Sequence, residues 1–304
     1  MKHATQIRVF LSTVLVVALA SSARAQGKPP GTVTFSAAAT GFHQFSSELE
    51  QPGTVNASNA AVSASVTRQM VAAFAAGLSA RFLSEDWQFD SPAAFGGSAP
   101  WQELQRSSMG ASLSLALSKT VLVGVSPSVE WALENGADSG DALTYGAVVS
   151  ALKVLKPDLI LGAGASVYRQ FYSIKTSPFL IINWKLNEKL RIANALPAGP
   201  EGGAGIELRW TLSPDWELAG GGVLRSDRYR LKATGPAAGN IAETSSMPMF
   251  LRLSRKLGSE FKADLYSGVM AQGRLRTRDS DGHQLASTSY GAAPAIAATI
   301  SFKR

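Results

Sequence analysis

From Val33 to Phe302 the chain repeats a single pattern, with apolar residues on one parity and small or polar residues on the other. The stretch GIELRWTLSPDWELAGGG, residues 205–222, shows it most regularly. Ile206, Leu208, Trp210 and Leu212 alternate with Glu207, Arg209 and Thr211. After Ser213-Pro214-Asp215 the series restarts with Trp216 and Leu218 against Glu217 and Ala219. Period two around a tight turn specifies a β-hairpin with one apolar face. That face points into the core of a soluble sandwich, but into lipid in a membrane barrel. The remainder of the chain distinguishes the two.

The same rule assigns about fourteen strands, with twelve as the alternative count. Val33, Phe35, Ala37 and Ala39 mark the first; a long second covers about 61–83; a short third, near 86–92, carries Trp87 and Phe89. The fourth sets Met109, Ala111, Leu113 and Leu115 against Ser108, Gly110, Ser112 and Ser114. The fifth sets Val121, Val123, Val125 and Val129 against Gly124, Ser126, Ser128 and Glu130. The series runs on to a last strand from Tyr290 to Phe302. The expected connections alternate in length. Residues 46–60, 93–104, 135–142 and 232–244 are long, whereas Ser84-Glu85-Asp86, Ser118-Lys119, Lys156-Pro157-Asp158 and Ser213-Pro214-Asp215 are short. Greek-key crossings give no reason for such alternation. An up-and-down membrane barrel does, because its periplasmic turns are short and its external loops long.

Trp87, Trp184, Trp210 and Trp216 each fall near an expected short turn and on the apolar parity. An amphipathic indole is best placed at a membrane interface, so these four are expected to form an aromatic girdle. Trp131, Tyr145, Phe171, Tyr229 and Tyr290 are expected to form the opposite one. The reading is an all-β, antiparallel, up-and-down transmembrane β-barrel of the bacterial outer membrane.

The ends agree with this. Lys2 and Arg8 precede an apolar run from Val9 to Ala20, and Ala23-Arg24-Ala25 supplies a cleavage site. This is the layout of a signal peptide (1–25), followed by a linker (26–31) and one barrel domain (32–304). No later apolar run is long enough for a membrane helix. The chain has no cysteine, which excludes disulfides, cysteine acylation and thiol chemistry. Removing the leader takes Lys2, Arg8 and Arg24 and no acids, leaving 26 basic against 22 acidic residues. That modest surplus, without a clustered basic face, gives no case for nucleic acid.

The segments SPFLIINWKLNEKLRI (177–192) and GAGIELRWTLSPDWELAGGGVLRSDRYRL (203–231) carry a resemblance. With VTRQMVAAFAAGLSARFLSEDWQF and LKPDLILGAGASVYRQF, they resemble an outer-membrane β-barrel family of bacterial envelope proteins classed as a domain of unknown function. The resemblance spans about 32–303 and implies fold and compartment, but no activity. The chain departs from barrel habit at its end, where Lys303-Arg304 follow the aromatic Phe302.

Chemistry has few candidates. The mature chain has two histidines, His43 near Ser46 and Ser47, and His283 beside Asp279 and Asp281. Neither sits in a nucleophile motif, and a rim-located lipid hydrolase is the least favoured reading. Asp279-Ser280-Asp281-Gly282 lacks the later Glu of a calcium loop. No metal and no cofactor is implied. Arg225, Arg252, Lys262, Arg274, Arg276 and Arg278 are the candidate charges of a lumen or its mouth. The expected role is a passive pore for small, anionic solutes, with a closed structural or adhesion barrel as the alternative. Expected partners are outer-membrane lipids, the barrel-assembly machinery and small solutes.

Overall fold

A computed structural model describes residues 29–195 and 204–304. The expected leader, most of the linker and residues 196–203 lie outside the described residues. Fifteen strands form one antiparallel sheet: β1 (Val33–Glu48), β2 (Thr54–Val71), β3 (Phe74–Asp90), β4 (Glu103–Ala116), β5 (Val121–Glu134), β6 (Leu143–Lys156), β7 (Leu159–Gln170) and β8 (Ser173–Lys185). They continue through β9 (Leu190–Asn194), β10 (Ala204–Thr211), β11 (Trp216–Arg230), β12 (Ile241–Leu257), β13 (Phe261–Arg278), β14 (Gln284–Tyr290) and β15 (Ala293–Lys303). Each pairs with its sequence neighbour, except that β14 and β15 both lie along β13. They are two halves of one stave, broken at Gly291-Ala292. Pairing of β1 with β15, from Ser36↔Lys303 to Gln44↔Ala295, closes a barrel of fourteen staves.

The alternation decides which face meets lipid. Leu78, Leu113, Leu180, Leu251, Leu265 and Ile300 are all exposed, at 64%, 44%, 68%, 63%, 60% and 57%. Their strand neighbours Ser114, Ser177, Ile181, Arg252, Asp264 and Thr299 are buried. An apolar outside on a sheet closed by the β1–β15 pairing is the arrangement a bilayer requires. Trp184, Trp210 and Trp216 lie on this outward face beside the short turns. At the same end Phe302 packs between Phe35 and Phe261, with ring centroids 6.0 and 5.0 Å away. Lys303 continues β15, and Arg304 exchanges two backbone hydrogen bonds with Phe35, so the basic tail extends the closing seam.

Two expected connections are wrong, and both errors lie in β2 and β3. The chain turns at Ala72-Ala73, inside the expected single strand 61–83. Ser84-Glu85-Asp86, expected as a turn, sits within β3. The alternation gave no warning because Val62 pairs with Phe82, so one parity faces outward in both strands. The turn contains no Gly, Pro, Asn or Asp; instead the Gln69 amide donates to the carbonyls of Val71, Ala72 and Phe74 at 2.7, 3.4 and 3.3 Å. The long loop expected at 46–60 shrinks to 49–53, and the β7–β8 connection is only Phe171-Tyr172. The remaining short turns and the long 91–102, 135–142 and 231–240 connections keep their expected ends.

The wall is neither uniform in height nor circular. β9 and β10 are short, and above them β11, still paired with β12, also pairs in parallel with β5 at Arg230↔Leu133. The outer half of the barrel is thereby pinched, with β1–β5 and β11–β14 enclosing one lobe and β6–β8 standing outside it. A bulge accompanies the pinch. Gln272 takes φ +52°, and the β12–β13 register slips between Ser245 and Met247. Before it Asp264, Tyr266 and Met270 point inward; after it Leu275 and Thr277 do. One inserted residue exchanges the two faces of a strand. Close approach explains Gly273, where a Cβ would lie 2.0 Å from the Tyr290 ring.

The lipid-face assignment yields a depth test. Leu113→Arg, well inside the apolar belt, should lower the stability of the barrel folded in lipid vesicles by about 2–4 kcal/mol, and Leu117→Arg at the short turn by about 0–1 kcal/mol. Equal costs in urea unfolding titrations would contradict the assignment.

Candidate functional site

The interior is built from charged side chains in layers. Nearest the short turns, Arg252 is fully buried. It donates to both oxygens of Glu207 at 2.7 and 3.3 Å, to Glu217 at 3.0 Å and to Asp264 at 3.2 Å. Arg209 donates to Glu207 at 2.5 Å, and Lys262 lies 3.0 Å from Asp264. Three cations meet three carboxylates. Arg252 and Lys262 therefore face inward as expected from parity, but within a packed network.

A second layer joins opposite walls. Arg225 on β11 bonds Asp227 on its own strand and Glu85 on β3. Arg106 on β4 donates to Asp227 at 2.6 Å, lies 3.7 Å from Glu130, and stacks 4.9 Å over the Tyr229 ring. Trp87 donates its indole N–H to Glu85 at 3.1 Å. A cavity lined by Gln44, Asn59, Glu85, Arg225 and Tyr290 measures about 10 Å³, room for no more than one water. Toward the long loops an apolar cap follows, where Trp101, from the 91–102 connection, packs 6.2 Å from Trp87, 5.4 Å from Phe89 and 5.8 Å from Phe95. Trp87 is thus an inward, buried side chain at the outer end, not part of an interfacial girdle. Tyr229 and Tyr290, expected in the opposite girdle, are likewise buried inside. All three follow from β3 being one strand and from the pinch that turns upper β11 toward β3–β5.

Arg274, Arg276 and Arg278 require the second correction. The Gln272 bulge places them on the outward side of β13, away from the enclosed lobe. There Arg276 and Arg278 approach Glu243 of β12 at 2.5 and 3.1 Å, and Arg228 of β11 reaches the same carboxylate at 2.9 Å. The β7–β8 turn covers this face. Ser173 accepts from Arg228 at 3.1 Å, Tyr172 lies 4.8 Å beneath the Arg228 guanidinium, and Phe171 lies 5.4 Å from that of Arg230. Arg274 stays exposed. Glu243, Tyr172 and Lys175 were not singled out from the sequence. Only the bulge and the folded-over hairpin bring them to the arginines.

The histidines divide. His43 sits on the outward face with its Nδ1 2.9 Å from Ser58 Oγ and Phe45 edge-on at 4.7 Å. Nucleophilic catalysis further needs donors for a developing oxyanion. His43 and Ser58 lie mid-ladder, paired to each other, to Ile296 and to Asp86, so the neighbouring backbone N–H groups are committed to the sheet. His283 closes the β13–β14 turn, with its ring 3.0 Å from Asp279. Slight desolvation pushes the Asp279 carboxyl up, but hydrogen bonds from the His283 backbone and ring hold it below the usual range. Asp279, Asp281 and His283 could each turn one ligand atom toward a cation, yet Asp281 and His283 are exposed and the bonds within the turn already occupy Asp279.

No protein-family model matches the chain, and no curated protein matches it in sequence. The family resemblance therefore reduces to the barrel class. Among solved structures, an outer membrane channel from Pseudomonas putida F1 is similar at 8% identity and TM-score 0.47, covering 91% of this chain and 97% of that one. The TodX monoaromatic hydrocarbon channel (a deltaS2 mutant) matches at 10% identity and TM-score 0.45, covering 92% of each chain. The KdgM porin, in complex with disordered oligogalacturonate, matches at 10% identity and TM-score 0.37, over 87% of this chain and 98% of that one.

The lower layer generates a stability contrast. Glu207→Gln leaves Arg252 and Arg209 short of their shared carboxylate in a buried place, and should cost about 3–5 kcal/mol. Glu260→Gln removes an exposed partner 3.7 Å from Arg304 and should change stability by less than about 0.5 kcal/mol. Urea unfolding of both variants in vesicles checks the difference; similar losses would refute the buried network.

Proposed function

We propose that this chain is an outer-membrane barrel that is shut in its ground state by its own inward side chains. It is a closed barrel with lipid as its main partner, and not a constitutively open pore. The observation that carries this reading is the joining of opposite walls by Arg225–Glu85 and Arg106–Asp227, with Arg225, Glu85 and Asp227 buried in the middle of the outer half. Water filling a lumen at that level would expose them. Among the described residues the seal consists of wall side chains capped by Trp101 of the 91–102 connection, so a few side chains decide whether it holds.

A second reading, passage of small anionic solutes, is favoured by the basic residues beside the mouth at Arg274–Arg278. Under it the pinch between β5 and β11 must part before solute crosses. Insertion by the barrel-assembly machinery is common to both readings.

Planar-bilayer recording separates them. The wild-type barrel should show no steady ohmic conductance. Asp227→Ala leaves Arg106 and Arg225 to repel each other across the pinch, and should produce frequent openings. Steady wild-type conductance would overturn the closed reading and leave the pore as the better account.

A further inference from the structure

The two ends of the barrel carry different charge on the face that meets lipid. Arg68, Lys153 and Arg255 lie within three residues of the short-turn ends of β2, β6 and β12, and all three are exposed. Each occupies the outward parity. Arg68 stands between Val33 and Ala76, Lys153 between Val121 and Leu161, and Arg255 between Trp216 and Ala263. No carboxylate shares that parity at this end of any described strand. At the outer end the same face mixes signs, carrying Asp86 and Glu103 as well as Arg169 and Arg274.

The turns do not neutralise these cations. At this rim they hold four carboxylates, Asp158, Glu188, Asp215 and Glu260. Glu188 pairs with Lys185 at 2.7 Å, and Glu260 lies 3.7 Å from Arg304. Arg68, Lys153 and Arg255 form no ion pair among the described residues. Residues 196–203, outside the described ones, connect the ends of β9 and β10 that lie away from this rim. Lys119, two residues before the strand partner of Lys153, and Lys156, at the end of β6, add exposed cations beside it.

A cation on a lipid-facing parity must carry its charge to the interface, and its long stem allows it to do so. Arg255 shows the level. Its guanidinium lies 5.2 Å from the Trp216 ring, and an outward indole marks the boundary between acyl chains and headgroups. We infer that the short-turn rim, through Arg68, Arg255 and the Lys119–Lys153–Lys156 cluster, binds the headgroups of anionic phospholipids in the leaflet it faces. Phosphodiester oxygens accept from both cation types, and a guanidinium can donate two N–H groups at once. A phosphocholine headgroup brings its own cation, so a headgroup of net negative charge is preferred. Each cation held at an anionic surface is worth about fivefold in affinity. The cations stand on strands spaced around the wall, so the bound lipids form a partial ring and do not fill a single pocket. The inference rests on the membrane-spanning reading and holds whether or not the barrel conducts.

The test uses the whole barrel refolded in phosphocholine vesicles that hold a minor fraction of phosphatidylglycerol. With bromine on the phosphatidylglycerol chains, tryptophan quenching measures how much of that lipid lies against the outward Trp184, Trp210 and Trp216 at the rim. Each protein is scaled to itself in brominated phosphocholine, which removes differences in intrinsic emission. At low salt the anionic lipid should be enriched at least about threefold over its bulk fraction, and the enrichment should vanish in high salt. Combined Arg68→Gln, Lys153→Gln and Arg255→Gln should return quenching to the bulk value. Combined Arg169→Gln and Arg274→Gln, at the outer end, should leave the enrichment intact. If the triple variant does not fold, Lys119→Gln with Lys156→Gln, which touches only exposed positions, should still lower it. Bulk-level quenching of the wild type, enrichment that the rim variants retain in full, or enrichment lost only in the outer-end variant would overturn the inference.

Discussion

The structure depends on a link across the barrel, in which Arg106 and Arg225 hold Asp227 and Glu85 between β11 and the β3–β4 wall. Fourteen strands closed on a circle leave a space that wall side chains do not fill, and water enters unless the circle is flattened or something is inserted. Here the circle is flattened. The cross-wall pairs draw β11 far enough for its end to pair with β5, and burial then makes each pair costly to break singly. The aromatic cap over them and the small cavity beneath them both follow from that approach.

The pinch has consequences on its other side. Upper β11–β13 form a partition with two protein-facing surfaces. The inner carries Tyr229, Ala242 and Leu275; the outer carries Arg228, Glu243 and Arg276. The Gln272 bulge lets β13 serve both needs, sending Asp264 and Tyr266 inward below it and Leu275 inward above it. Without the bulge, three arginines would enter the apolar lobe and Leu275 would leave it. The β7–β8 turn, Phe171-Tyr172, closes over the outer surface and packs on Arg228.

Strand parity carried most of the fold, because lipid and a packed interior impose opposite preferences on alternate residues along nearly every stave. Leu113, Leu180 and Ile300 outward, and Arg252 and Lys262 inward, were legible for that reason. Where the chain departed from local rules, tertiary contacts had overridden them. Ala72-Ala73 turns without a turn residue, held by the Val71–Phe74 pair, the Gln69 amide and a bond from Ala116, and Ser84-Glu85-Asp86 stays extended, where Glu85 meets Arg225 and Trp87. A bulge leaves no mark in composition, so the side on which Arg274, Arg276 and Arg278 fall could not be read from their spacing. The partners of those arginines come from strands far apart in sequence, and no local motif announces them.

The central claim is that the interior is packed against water. The chain has no cysteine, so a single one can report on it without interference. Ser126 faces inward on β5 and is 9% exposed, whereas Ser118 lies in an exposed turn. The rate at which a charged, membrane-impermeant thiol reagent labels Ser126→Cys, relative to Ser118→Cys, measures access to the interior of the folded barrel in vesicles. The account predicts rapid labelling at 118 and almost none at 126 until the barrel is unfolded; comparable rates at the two positions would contradict it.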